Sequence, residues 1–258
     1  MSHPLYVITI ESQDCEYIVK LNDVRQYLKS DAEHASFTTK LNPWLVDGAN
    51  RLEVLGRPPA KLALGAASHQ ESNPKLEIKI FKGKQGVPLN QAQLLFERSL
   101  KKEQLPATAA RPWSTIVSES IVILPLEWQA LWAKIPANEI SLEESVEFIR
   151  HYRALIEARD GAGLVEIHRP RLENQSLSLG LPKDRLEPSL LSMLDELSSR
   201  PWTVTTSAQL RAQKEGEGRL TRIERNNGGP ALLRGGPGSY SGLSFLLAKG
   251  AGRIWVVG

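Results

Sequence analysis

Histidines are the side chains best able to exchange protons near neutral pH, and this chain has five: His3, His34, His69, His151 and His168. No two stand at the HxxxH or HExxH spacing that sets two imidazoles on one helical face, so no zinc site is expected. His151, beside Arg150 and Glu147, reads as the wet face of a helix. His168, four residues after Leu164, reads as a surface or hydrogen-bonded core residue. Asp160, followed by Gly161, reads as part of a helix end rather than as an acid or base. The glycine-rich stretch Arg234–Gly242 would let backbone amides approach an anion. A phosphate loop also needs a following helix with lysine and serine or threonine at set positions, which this stretch lacks. Tyr240 stands where a nucleophile elbow needs serine, so a hairpin loop is expected there. The sequence therefore predicts no catalytic residues, no metal ligands and no cofactor.

Charge gives the clearest hint of a partner. Within residues 201–258, eight lysines and arginines stand against three glutamates, a local +5, and Arg219, Arg222 and Arg225 are concentrated in one strand-like segment. These three are the expected partner-binding residues, and long-range attraction points to another protein, an acidic one. Positive charge on strand edges also serves to block sheet-to-sheet association, which is the competing explanation. The whole chain carries only +3 with 24% charged residues, so a dedicated nucleic-acid binder is not expected and weak nucleic-acid contact ranks last.

The elements that must carry these residues change character along the chain. Up to about Leu124 the signals are those of strands: Leu5–Glu11, Glu16–Leu21, a turn at Asn22-Asp23, Ser36–Leu41, Arg51–Leu55, Lys75–Lys82 and Ser114–Leu124. In Lys75–Lys82, Leu76, Ile78 and Ile80 alternate with polar positions, as a half-buried strand requires. Gln91–Leu100 fits helix or strand. Gly56–Pro74 and Lys101–Pro112 lack periodicity and read as loops. The segment Lys40–Val54 contains NPWLVDGANRLEV, where Pro43 fixes a turn, Trp44 can plug a core and Gly48 permits a positive φ. This phrase resembles a corner of jelly-roll and galactose-binding-like sandwiches, and the resemblance implies a structural corner rather than a sugar site.

After Leu124 helical spacing takes over. Trp128, Leu131, Trp132 and Ile135 recur as on a helix that Pro136 would stop. Ser141 and Glu144 form a capping-box pattern ahead of the apolar stripe Leu142, Val146, Ile149, Tyr152 and Ile156. Shorter helices are expected at Leu164–Arg169 and Pro188–Ser199. Strands are expected at Trp202–Ser207, Arg219–Arg225, Ala231–Arg234, Ser239–Ala248 and Arg253–Val257, with Asn227-Gly228-Gly229 as a hairpin turn.

The fold class read from this order is α+β overall: an amino-terminal β-sandwich over residues 1–124, then an α+β domain over 125–258 with helices packed on an antiparallel sheet. The order of Tyr152–Leu164 followed by a sheet ending in GRIWVVG resembles the SnoaL-like and nuclear transport factor two-like cone fold. The enzymatic members' Asp/His or Tyr/Asp pair has no counterpart in the sequence. Architecture of this kind implies, by analogy, a binding or bacterial accessory or immunity-type protein. A cone enzyme for a small hydrophobic ligand is the alternative. The resemblance also leaves open a homodimer through the C-terminal sheet. No run of eighteen apolar residues is available to cross a membrane, and the start lacks the basic and apolar regions of a signal peptide, so a cytoplasmic protein without membrane contact is expected. The single cysteine, Cys15, excludes an internal disulfide.

Overall fold

The computed structural model describes residues 3–29, 34–57, 74–104, 114–123, 126, 128, 130–198, 201–236 and 239–258. The chain divides into two compact units, Met1–Gln129 and Ala130–Gly258. Each has its own hydrophobic core.

Among the described residues the amino-terminal unit holds eight strands: β1 (Leu5–Gln13), β2 (Glu16–Leu21), β3 (Val24–Lys29), β4 (Ala35–Lys40), β5 (Gly48–Arg57), β6 (Lys75–Gly83), β7 (Gln93–Leu100) and β8 (Ser114–Ile123). They form two antiparallel sheets, in the orders β4-β1-β6-β7 and β3-β2-β5-β8. Alternation explains the layering. Ile8, Ile10, Ile78 and Ile80 from the first sheet and Tyr17, Val19, Leu52 and Val54 from the second meet in one cluster, which makes a sandwich. The ambiguous Gln91–Leu100 resolves into a 3-10 turn at Leu89–Gln91 and the strand β7. Asn22 and Asp23 both take positive φ, 51° and 62°, as a two-residue hairpin requires. They deliver β3, which sequence reading missed because VRQYLK alternates poorly.

The NPWL corner is a structural knot of asparagines. Asn42 accepts a bond from Tyr6 N at 2.7 Å and donates to the Pro4 carbonyl at 2.8 Å. Asn50 accepts from Val46 N and donates back to the Val46 carbonyl, both at 2.8 Å, and Asn22 Nδ2 donates to Asn50 Oδ1 and to the Trp44 carbonyl. Buried amides satisfied in this way fix the loop's path. Leu41 and Leu45 fill the core at this end, whereas Trp44 is half-buried against it. The segments Gly56–Pro74 and Lys101–Pro112 lie largely outside the described residues; within the second, Lys102–Gln104 is one 3-10 turn.

Among the described residues of Trp128–Ile135 the expected helix is a single 3-10 turn, Leu131–Lys134, closed by Ala133 N to the Ala130 carbonyl and Ile135 N to the Trp132 carbonyl. Pro136 lacks a backbone N–H and disfavours α geometry at Ile135, so the spacing there has no room to propagate. Three helices follow: α1 (Leu142–Glu157), α2 (Gly161–Leu179) and α3 (Lys183–Ser198). The capping box is present as expected: Ser141 Oγ accepts from Glu144 N at 3.1 Å, and Ser141 N donates to Glu144 Oε2 at 2.9 Å. The second helix does not stop before Pro170. It runs to Leu179 and ends on Gly180 in the left-handed conformation, with Pro170 inside it. The third starts at Lys183, with Pro188 inside.

The strands are β9 (Thr203–Val204), β10 (Leu210–Glu215), β11 (Leu220–Arg225), β12 (Leu232–Gly236), β13 (Ser239–Leu243), β14 (Phe245–Gly250) and β15 (Arg253–Val256). They divide into two antiparallel sheets, β10-β11-β14-β15 and β13-β12-β9. The Asn227-Gly228-Gly229 turn therefore joins strands of different sheets and is not a hairpin, since β11 pairs with β10 and β14. Ser239–Ala248 likewise splits between the two sheets. Most of the Arg234–Gly242 stretch is not a loop, because β12 pairs with β13 as far as Gly236 opposite Ser239. Phe148, Ile149, Tyr152 and Ile156 of α1 share a core with Ile223, Phe245 and Leu247 of the larger sheet, so the helices bury their apolar faces on it.

Candidate functional site

A groove of about 770 Å³ opens in the carboxy-terminal unit between α1, the start of α2 and the edge strand β15. Its floor is apolar: Phe148 and Leu155 from α1, Ile167 from α2, and Ile254 and Trp255 from β15. Its rim carries five carboxylates, Glu143, Glu144, Glu147, Asp160 and Glu166, together with His151 and Arg253. The helix period produces this division. Phe148 and Leu155, seven residues apart, lie on one stripe, and Glu144, Glu147 and His151 flank that stripe one turn apart.

Two tight structural features hold the groove in shape. Glu144 closes the α1 cap and also accepts a bond from Lys249 Nζ of β14 at 2.5 Å, so one side chain ties the helix start to the sheet. The Lys249 bond, followed by the Ser141 amide, holds the Glu144 carboxyl below the usual carboxylate range. Asp160 serves both helix ends, as its place in the sequence suggested: behind Arg159 at φ 52° its N–H donates to the Leu155 carbonyl at 2.9 Å and closes α1, while its side chain is the N-cap of α2, accepting from Gly163 N at 2.9 Å. A Cβ at Gly163 would lie 2.6 Å from both Asp160 Oδ2 and Leu155 Cδ2, so only glycine lets the cap sit against the groove floor.

The ion pairs around the groove are one-sided. Arg150 binds Glu147, and Arg169 binds Glu166, yet neither arginine lines the groove. Arg253 reaches Glu166 at 3.5 Å. The groove wall is thus acidic, with most balancing cations behind or outside it.

Residues singled out from the sequence have scattered. Arg222 donates two bonds to Glu215, Nε to Oε1 at 2.6 Å and Nη2 to Oε2 at 2.9 Å, and its side chain is only 12% exposed. Glu215 and Glu224 are themselves fully buried, the latter held by Arg211. Arg219 donates to the Ile135 carbonyl at 2.7 Å. Arg225 has a buried Nε with no hydrogen bond among the described residues. Strand alternation places Arg222 and Arg225 on opposite faces of β11, so the structure does not gather the three arginines on one face.

His151 is exposed on the groove rim. His168 is buried on α2, 3.0 Å from the Tyr152 hydroxyl through Nε2, and its Nδ1 has no hydrogen-bond partner among the described residues. Burial, and secondarily the nearby Arg171, push the His168 pKa down to about 3, and burial pushes Tyr152 up to about 12. His3 packs edge-on to Trp128, His34 is exposed, and His69 lies outside the described residues. Among the described residues no three histidine, cysteine, aspartate or glutamate side chains are grouped as a metal ion would need. No described helix is long and apolar enough to cross a membrane.

Sequence reasoning missed the groove. The capping box and the Asp160–Gly163 turn were visible, but nothing linked them to Ile254 and Trp255, some ninety residues further on. Comparison with known families, curated proteins and solved structures found no match to the chain.

Proposed function

We propose that the chain acts by forming a complex with another protein, without turnover, and that the carboxy-terminal groove is the contact surface. One observation carries this reading: a groove of about 770 Å³ leaves Phe148, Leu155, Ile167, Ile254 and Trp255 facing a carboxylate rim. An apolar centre within a polar rim is the usual anatomy of a protein contact surface. The basic strand is a weaker contact surface, because Arg222 is committed to Glu215 inside the protein. The resemblance to the nuclear transport factor two-like cone is compatible with this reading, since a cone also encloses space between helices and sheet. The parallel with bacterial accessory and immunity-type proteins remains one of architecture.

The enzymatic alternative would rest on Tyr152 and His168, a buried pair of protonatable groups 3.0 Å apart. Burial keeps that imidazole neutral over the whole physiological range, and neither residue lines the groove. A general acid or base needs a pKa near the working pH and access to its substrate.

Site-specific photocrosslinking tests the proposal. A photoreactive amino acid placed at His151 in the full chain, expressed in its native host, should give one dominant adduct. The same group at Glu157, on α1 but outside the groove lining, should not give it. Equal labelling from both positions, or none from His151, would overturn the groove as the contact surface.

A further inference from the structure

Granting that the groove is a contact surface, we infer that its occupant is a short cationic amphipathic protein segment, with lysines or arginines flanking apolar anchors. Three features of the groove point to this chemistry. Among the described residues lining the groove, five carboxylates stand against one cation, Arg253, and of the five Glu144 is already held by Lys249 from the sheet. Arg150 and Arg169, which balance Glu147 and Glu166, do so from outside, through pairs whose side chains are all half-exposed or more. Exposed pairs of this kind are screened by water and contribute little, so an incoming cation can join or replace their partners at small cost. Glu143 has no ion pair at all among the described residues.

The floor supplies the second half of the match. Aromatic and branched aliphatic side chains from three elements, Phe148, Ile167 and Trp255 among them, offer a continuous apolar bed for anchors. A polar cationic chain without anchors would leave that bed wet. An acidic peptide or a nucleic acid would bring its charges against the carboxylate rim, and like-charge juxtaposition is strongly unfavourable at a partly desolvated site.

The dimensions favour a chain segment over a compact ligand. The lining runs along α1 from Glu143 to Leu155, about 18 Å of helix at 1.5 Å per residue. That length matches about five or six residues of extended chain, or about three turns of an amphipathic helix. Carboxylates occur towards both ends of this length, Glu143 and Glu144 at one, Asp160 and Glu166 at the other, so cations at both ends of the segment find partners.

Fluorescence anisotropy with the full chain and two dye-labelled eight-residue peptides tests the inference. One peptide alternates lysine with leucine and phenylalanine, and the other replaces each lysine by glutamate. The lysine peptide should bind at least ten-fold more tightly than the glutamate peptide. The double variant Glu143→Lys, Glu147→Lys should weaken the lysine peptide at least ten-fold, and raising salt from 50 to 300 mM should narrow the difference between the peptides. Both substitutions sit at exposed or partly exposed helix positions, and an unchanged circular dichroism melt confirms that the fold is kept. Equal binding of both peptides, binding indifferent to the double variant, or no binding of the lysine peptide at millimolar concentration each overturns the cationic assignment. The photocrosslink from His151 separates these outcomes from failure of the broader reading. A groove adduct with an uncharged or acidic segment leaves the contact surface standing and removes only its proposed chemistry.

Discussion

Lowering the pH from 7 to 5 should destabilise the carboxy-terminal unit through His168, and His168→Gln should abolish that component. The imidazole is 3% exposed, bonded to Tyr152 and close to the cationic Arg171, and its pKa falls to about 3. In the unfolded chain it returns to about 6.5. Between these values the unfolded state takes up a proton that the native state refuses. The contribution is therefore complete above about pH 6.5 and is lost progressively as the pH falls towards 3. Linkage gives about 1.4 kcal/mol per pH unit in that window, hence about 2 kcal/mol between pH 7 and pH 5. For a unit of this size that corresponds to a fall in Tm of about 7 °C. Glutamine can keep a hydrogen bond to the Tyr152 hydroxyl but does not titrate, so its melting curve should lack this component while shifts from carboxylates persist. Circular dichroism melts at half-unit pH steps measure the difference. Wild type and variant curves that shift in parallel, or an NMR titration placing the His168 midpoint near 6.5, would refute the reasoning.

Other consequences follow from buried polar groups. Arg222→Glu leaves the buried Glu215 facing a like charge and should cost about 3 to 5 kcal/mol, read by urea denaturation; a variant as stable as wild type would mean that the pair is not formed. Asn50→Ala removes the amide that bonds both the Val46 amide and carbonyl, and should cost about 3 kcal/mol in the amino-terminal unit while leaving the melt of the other unit unchanged. The Cys15 thiol, pushed up to about 11 by burial, should react with a disulfide reagent at pH 8 only at the rate of unfolding; rapid labelling of the native protein would contradict its burial. Gly163→Ala should shift α2 away from Leu155 and lower the melting temperature of the carboxy-terminal unit, although alanine is the better helix former.

Local sequence was a reliable guide wherever one element's own period matched its surroundings. The alternation of Leu76, Ile78 and Ile80 specified β6, Ser141 with Glu144 specified the start of α1, and Val146, Ile149, Tyr152 and Ile156 specified its inward face, because each signal depends only on neighbours a few residues away. The second helix escaped for the opposite reason. Its buried positions include His168, Asn174 and Ser178 as well as Leu164 and Leu172, so no apolar stripe marks its inner face, and Pro170 mimics a stop signal. Strand partners were equally hidden: the turn at Asn227–Gly229 was visible, but only the packing of two sheets decides that β11 pairs with β14 and leaves β12 to the other sheet. The arginines of the basic segment were legible as charge and not as surface, since pairing with Glu215 depends on the β10–β11 register. The groove itself depends on tertiary structure throughout. Its carboxylates come mostly from helices near residue 150 and part of its apolar floor from a strand near residue 255. Only the docking of α1 and α2 beside the sheet edge turns an ordinary solvated helix face into an acidic wall over Trp255.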